Sequence, residues 1–276
     1  MRKVTLAQGV ESSVLGFGCA PILGAVGAKE ARNAIACALD LGINHFDVAR
    51  CYGYGDAEKF VGRELKALRD NVVIVSKFGL AATGLAQILR PAKPVVRYLR
   101  SRPAASSATH PSDGSNTMGP FLRRLPITAD ELQKGLEQSL KALGTDYLDI
   151  LMLHEPMWSC LPVDEIARVA DALKSRGKIR AFGAAFYRSK GALPEVASGI
   201  FDVLQFDCPV AGADYDVLKE TRASSFNVLF SPSRAGAPGS SLPETLASLW
   251  KDFPHSVVLS SMFNPDHIRA NAAAVV

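Results

Sequence analysis

Short apolar runs and longer amphipathic stretches alternate along this chain almost without interruption. INHF, VVIVS and YLDILML show little polar alternation, which marks strands buried on both faces. Between and after them, EARNAIACALDLG, AEKFVGRELKAL, TADELQKGLEQSLKALG and VDEIARVADALKSRG carry apolar residues at helical spacing. Gly42 closes the first of these. Thr128, with Glu131 three residues on, predicts a capping box that opens the third, and Gly144 closes it. VTL and SSVLGFG read as an opening hairpin leading into a first strand. IRAFGAA, DVLQF, NVLF and SVVLS read as later strands, and PDHIRANAAAV closes the chain.

Helices between doubly buried strands imply parallel crossovers. Eight such strands fit a closed (β/α)8 TIM barrel with an N-terminal β-hairpin better than an open doubly wound sheet. GFGCAP, after the first strand, lacks the third glycine of a dinucleotide fingerprint. The expectation is one barrel domain over residues 1–276. Residues 80–127 break the rhythm as a long insertion after the third strand. A helical pattern, GLAQILRPAKPVVRYLRSR, is followed there by the polar tract PAASSATHPSDGSN. From 90 to 124 the chain has seven Lys and Arg against Asp113 alone, a local charge of +6. Connections this long are substrate lids or solvated insertions, and both readings stand.

Composition narrows the class. Of 276 residues, 48% are apolar and 21% charged, which excludes a disordered chain. A net charge of +4 gives no ground for a nucleic-acid or membrane partner. Five scattered cysteines without a CxxC pair fit reduced thiols in a cytoplasmic protein rather than disulfides or a metal site. MRKVTLAQGVESS lacks the apolar core of a signal peptide, and no apolar run has membrane-spanning length.

The candidate chemistry lies at strand ends. INHF leads to Asp47, VVIVS to Lys77 and LDILML to His154. In a parallel barrel these ends share one mouth, and Tyr52 follows Asp47 by five residues. Singly, an Asp after a strand is more often a helix cap, a Lys a rim residue, a His a core residue and a Tyr an anchor. Together they make a set that can polarise a carbonyl and protonate its oxygen. An ammonium beside Tyr52 would ease loss of the phenol proton, Asp47 would be the lysine's counter-ion, and His154 would orient the substrate. No side chain delivers hydride, so a nicotinamide cofactor is implied. A Schiff-base role for Lys77 in a lyase or isomerase is a lesser alternative.

At this point the chain resembles the aldo-keto reductase family. FDVARCYGYGDAE is similar to its FDTA-x-x-YG-x-x-x-SE, and SLKALGTDYLDILMLHEP to its SL-x-x-LGTDY-x-D-x-x-x-x-H-x-P. GKIRAFGAAF stands where the family has GKIR-x-x-GVSNF. The resemblance implies Asp47, Tyr52, Lys77 and His154 as catalytic residues, with Tyr52 the proton donor and Tyr54 and Trp158 in the substrate pocket. It implies NADP(H), with NAD(H) as the alternative, and a small carbonyl substrate. The nicotinamide carboxamide would face Ala185, Phe186 and Gln205, where the first two replace the family's Ser-Asn pair. Phe230, followed by Ser231, would stack on the nicotinamide ring. Ser261, His267 and Asn271 would line the adenosine site, with Arg269 the one nearby substitute for its basic residues. The apolar pair at 185 and 186 also admits a cofactor-sensing or regulatory barrel of low turnover.

Overall fold

The computed structural model describes residues 1–88, 120–188, 199–208, 213–236 and 239–275. Strands β1 (Lys3–Ala7) and β2 (Val10–Ser13) pair antiparallel as the opening hairpin. SSVLGFG divides at Val14, so that β3 (Leu15–Gly18) enters the barrel. With β4 (His45–Asp47), β5 (Val73–Phe78), β8 (Leu148–His154), β9 (Ile179–Phe186), β10 (Val203–Asp207), β11 (Asn227–Phe230) and β12 (Ser256–Ser260), it closes an eight-stranded parallel barrel. The expected fold class is the observed one.

The barrel strands are buried along nearly their whole length, which is why they lack polar alternation. Helices such as Ala28–Asp40 and Ala129–Leu143 cover them with one apolar stripe each, Leu132, Leu136, Leu140 and Leu143 in the latter. Thr128 caps that helix by accepting from the Glu131 amide, but the Glu131 carboxylate turns to Lys134 instead of completing the box. A full capping box forms at Ser241 and Glu244, where none was expected.

The hairpin lies across the N-terminal end of the barrel. Ser12 Oγ is 2.8 Å from Nδ1 of His45, the first residue of β4, and Arg180, near the start of β9, reaches the Gly9 carbonyl. The opposite end is left to the loops that follow the strands. The insertion departs from that end through two short antiparallel strands, β6 (Leu80–Ala82) and β7 (Leu122–Arg124). The basic tract expected beyond them, and most of the helix before it, lie outside the described residues.

Candidate active site at the barrel mouth

Asp47 and His154 end β4 and β8, and Lys77 is the penultimate residue of β5. Parallel closure brings all three strand ends to one face. Tyr52 begins a tight turn, Tyr52–Gly55, in which Gly53 and Tyr54 take left-handed φ of 57° and 58°. A Cβ on Gly53 would stand 2.6 Å from the Ile22 carbonyl oxygen, so only glycine fits the turn there.

The side chains form one connected row. The Lys77 ammonium, 2% exposed, pairs with Asp47 Oδ1 and donates to the Val48 carbonyl at 3.3 Å and the Tyr52 hydroxyl at 3.4 Å. The other Asp47 oxygen accepts from Gln205 Nε2 at 3.0 Å. Gln205 Oε1, also buried, has no hydrogen-bond partner among the described residues. The Tyr52 ring meets His154 edge-on, with ring centres 6.0 Å apart. Cys51 Sγ lies 3.8 Å from His154 Nδ1, and burial pushes the Cys51 thiol up to about 12, so it meets the imidazole as neutral S–H.

The expected effect of Lys77 on Tyr52 is overridden. Burial first, and the Asp47 charge second, push the Tyr52 phenol well above its ordinary range. The physical reason is that a phenolate would be stripped of water at this depth and would face the Asp47 carboxylate, and both disfavour loss of the proton. Tyr52 therefore keeps its proton.

Strain collects at the same end. Among the described residues, the non-glycine positions with positive φ are Leu23, Tyr54, Glu155 and Ser231, at 50° to 58°. Each sits in a loop that follows a barrel strand, and such conformations are costly enough to mark functional regions.

The remaining expected residues are distributed around this row. Ala185 and Phe186 are buried. Phe186 packs against Trp158 at 5.4 Å and Phe206 at 6.2 Å, and Trp158 also meets Phe201. Tyr54 lies against Phe121. Phe230 is partly exposed and meets Tyr187 perpendicularly at 5.0 Å, and Ser231 opens a short 3-10 turn. Ser261 and His267 are exposed, whereas Asn271 is 2% exposed and donates to Met262 Sδ at 3.4 Å. Arg269 is engaged by Asp266 at 3.0 Å.

Sequence reasoning missed Cys51, Tyr187 and the bond from Gln205 to Asp47. Tyr187 had a usable signal: it directly follows the C-terminal end of β9, the end that carries Ala185 and Phe186. A flat aromatic ring bearing an amide fits this end of the barrel. Phe230 offers a partly exposed ring and Gln205 an unpartnered acceptor, while the side chains of Ala185 and Phe186 offer only apolar contact. Among the described residues, no group of three or more His, Cys, Asp or Glu could hold a metal ion, and no helix is long and apolar enough to cross a membrane.

Residues 14–192 match the family model described as the Aldo/keto reductase family. The chain belongs to that family. An aldo-keto reductase of Bacillus subtilis is 30% identical over 181 residues, covering 63% of this chain and 44% of the relative. The NADH-specific methylglyoxal reductase of Escherichia coli is 28% identical over 170 residues, covering 59% and 43%. The matched stretch thus spans under half the length of these curated relatives. A solved aldo/keto reductase from Klebsiella pneumoniae, in complex with NADP and acetate, superposes with a TM-score of 0.63 over 99% of this chain and 90% of its own, at 20% identity. In this aldo/keto reductase family member, Gln205, Phe230 and the C-terminal positions lie beyond the family match, and likeness of fold alone extends to them.

Proposed function

We propose that the chain is a nicotinamide-dependent reductase of aldehydes or ketones, with NADPH as its cofactor and NADH as the alternative. The observation that carries this reading is the buried contact row Asp47–Lys77–Tyr52 with His154 beside the phenol. When bound, the cofactor supplies hydride to the carbonyl carbon. Tyr52 donates its proton to the carbonyl oxygen as negative charge develops there, which completes the alcohol. The high position of the Tyr52 phenol does not prevent this, because the incipient alkoxide is the stronger base. Lys77 approaches the phenol oxygen from behind and steadies the charge left on it, and Asp47 holds Lys77 in place. His154 orients the carbonyl. Phe230 and Gln205 would hold the nicotinamide, and Ser231, Ser261, His267 and Asn271 the rest of the dinucleotide. The family's relatives include an enzyme named as NADH-specific and a neighbour solved with NADP, so either dinucleotide has precedent.

The test is to titrate the purified protein with NADPH and with NADH, then follow loss of reduced-nicotinamide absorbance against a panel of aldehydes and ketones. Binding with turnover on any member supports the reading. Tight binding without turnover across the panel supports instead a cofactor-sensing barrel, which the apolar Ala185 and Phe186 favour. No binding of either dinucleotide would remove both.

A further inference from the structure

We propose that Asp47 has a second role beyond holding Lys77. It fixes which end of the Gln205 amide faces the ligand, and so makes the mouth selective for a ring whose side group donates a hydrogen bond. The inference rests on the reductase reading and deepens it.

Both oxygens of Asp47 are engaged, one by the Lys77 ammonium and the other by Gln205 at 3.0 Å. A carboxylate paired with an ammonium can only accept. The end of the Gln205 amide that meets it must therefore be the NH2 group, and the carbonyl must occupy the other end. An amide that could otherwise be placed either way round is fixed by chemistry here.

The carbonyl end is then the anomaly. Oε1 is buried and has no partner among the described residues, and an orphaned buried acceptor is costly because it gives up its bonds to water for nothing. Native structures keep few such atoms, and each calls for a functional or physical reason. Neighbouring strands offer no relief. In register, Gln205 lies between Ala185 of β9 and Val228 of β11, and neither side chain has a donor. A ligand group with an N–H is what the site lacks. The carboxamide of a nicotinamide supplies one, and a methyl ketone in its place does not.

Asp47 thus joins two sites that sequence reasoning kept apart. The oxygen facing Lys77 serves the proton donor, and the oxygen facing Gln205 serves recognition of the ring. In this second role Asp47 is a positioning residue, since Gln205 alone would touch the ligand.

The experiment compares equilibrium binding of a reduced dinucleotide with that of its acetylpyridine analogue, in which the carboxamide NH2 is replaced by CH3. Neither measurement depends on turnover. The wild-type protein should prefer the parent by about 10-fold or more, as expected when a buried acceptor loses its donor. Asp47→Ala frees the amide to turn, and the preference should collapse toward one. Asp47→Asn, whose oxygen the Lys77 ammonium would claim, turns its NH2 to Gln205 and draws the Gln205 carbonyl away from the ligand, so it serves the same purpose if the alanine variant does not fold. Gln205→Met, which leaves the Lys77–Asp47 pair in place, should also lose the preference. A wild-type ratio near one overturns the inference. So does full retention of the preference in a folded Asp47→Ala or Asp47→Asn protein, which would mean that Gln205 is oriented without help. Both outcomes leave the reductase reading standing. If the wild-type protein binds neither dinucleotide, that reading falls and this one with it.

Discussion

Asp149 and Asp47 sit at opposite ends of one barrel, both buried against cations, and they are provided for differently. Asp149, the second residue of β8, forms an ion pair with Arg69 at 2.8 Å and accepts from Arg180 at 2.8 Å and the Ile74 amide at 2.9 Å. Both guanidinium groups also lie over the Tyr147 ring, at 3.8 and 4.5 Å. Among the described residues, no buried side-chain atom of that cluster lacks a partner. Around Asp47 the same kind of pairing leaves Gln205 Oε1 without one, and the neighbouring loops hold left-handed residues. A saturated buried charge ties strands together. Asp47 is saturated as well, but the Gln205 amide it holds is left one partner short, and that orphaned acceptor is the one we assign to a ligand.

The sharpest way to separate the two ends is to remove one atom from the mouth. Tyr52→Phe should lower turnover by about 10²–10⁴-fold, the usual weight of a positioned proton donor, with dinucleotide affinity and melting temperature unchanged. Full turnover in that variant would take Tyr52 out of the donor role. Removing the carboxylate at the floor should do the reverse. Asp149→Ala leaves two arginines facing each other and should cost about 3–5 kcal/mol in urea unfolding, while dinucleotide affinity in the folded protein is retained. A loss below about 1 kcal/mol would mean that the floor cluster is not what fastens β8 to its neighbours.

His45, the first residue of β4 and so at the Asp149 end, sharpens the contrast by pH. Burial, and secondarily the Lys77 charge, push its imidazole down to about 3. The unfolded chain binds that proton near 6.5, so the neutral form stabilises the fold above that value. Stability is lost as the pH falls from there toward 3, by up to about 1.4 kcal/mol per unit. His45→Asn should flatten this slope in denaturation curves between those limits, and an unchanged slope would assign the acid sensitivity elsewhere. The smallest effect belongs to Arg180→Met. Its side chain is 41% exposed and Arg69 remains on Asp149, so about 1 kcal/mol is expected, well short of Asp149→Ala.

The convergence of Asp47, Lys77 and His154 was legible because closure of a parallel barrel turns positions at strand ends into neighbours. Tyr52 was legible because its distance from Asp47 is a matter of local turn geometry. Contacts that depend on how the barrel closes were not. Cys51 meets His154 across 103 residues, and Gln205 meets Asp47 across 158. The sign of the Tyr52 shift was misread for a related reason. Proximity of Lys77 could be inferred from the pattern, but how deeply the closed barrel buries the phenol, and how near it brings the Asp47 charge, is not contained in spacing along a chain. The floor cluster was hidden in the same way, since Asp149 and Arg180 stand in separate motifs and only adjacent strands unite them.

The β6–β7 ribbon has a consequence for how this barrel can change over generations. Leu80 pairs with Arg124 and Ala82 with Leu122, so the insertion leaves and re-enters the barrel through one narrow doorway. Because the ribbon already holds the two ends together, residues added between them would pull little on the barrel. Length or composition out there can be exchanged without pulling on Lys77 or on the strand that carries His154. The doorway makes whatever stands between its two strands a replaceable part of the barrel.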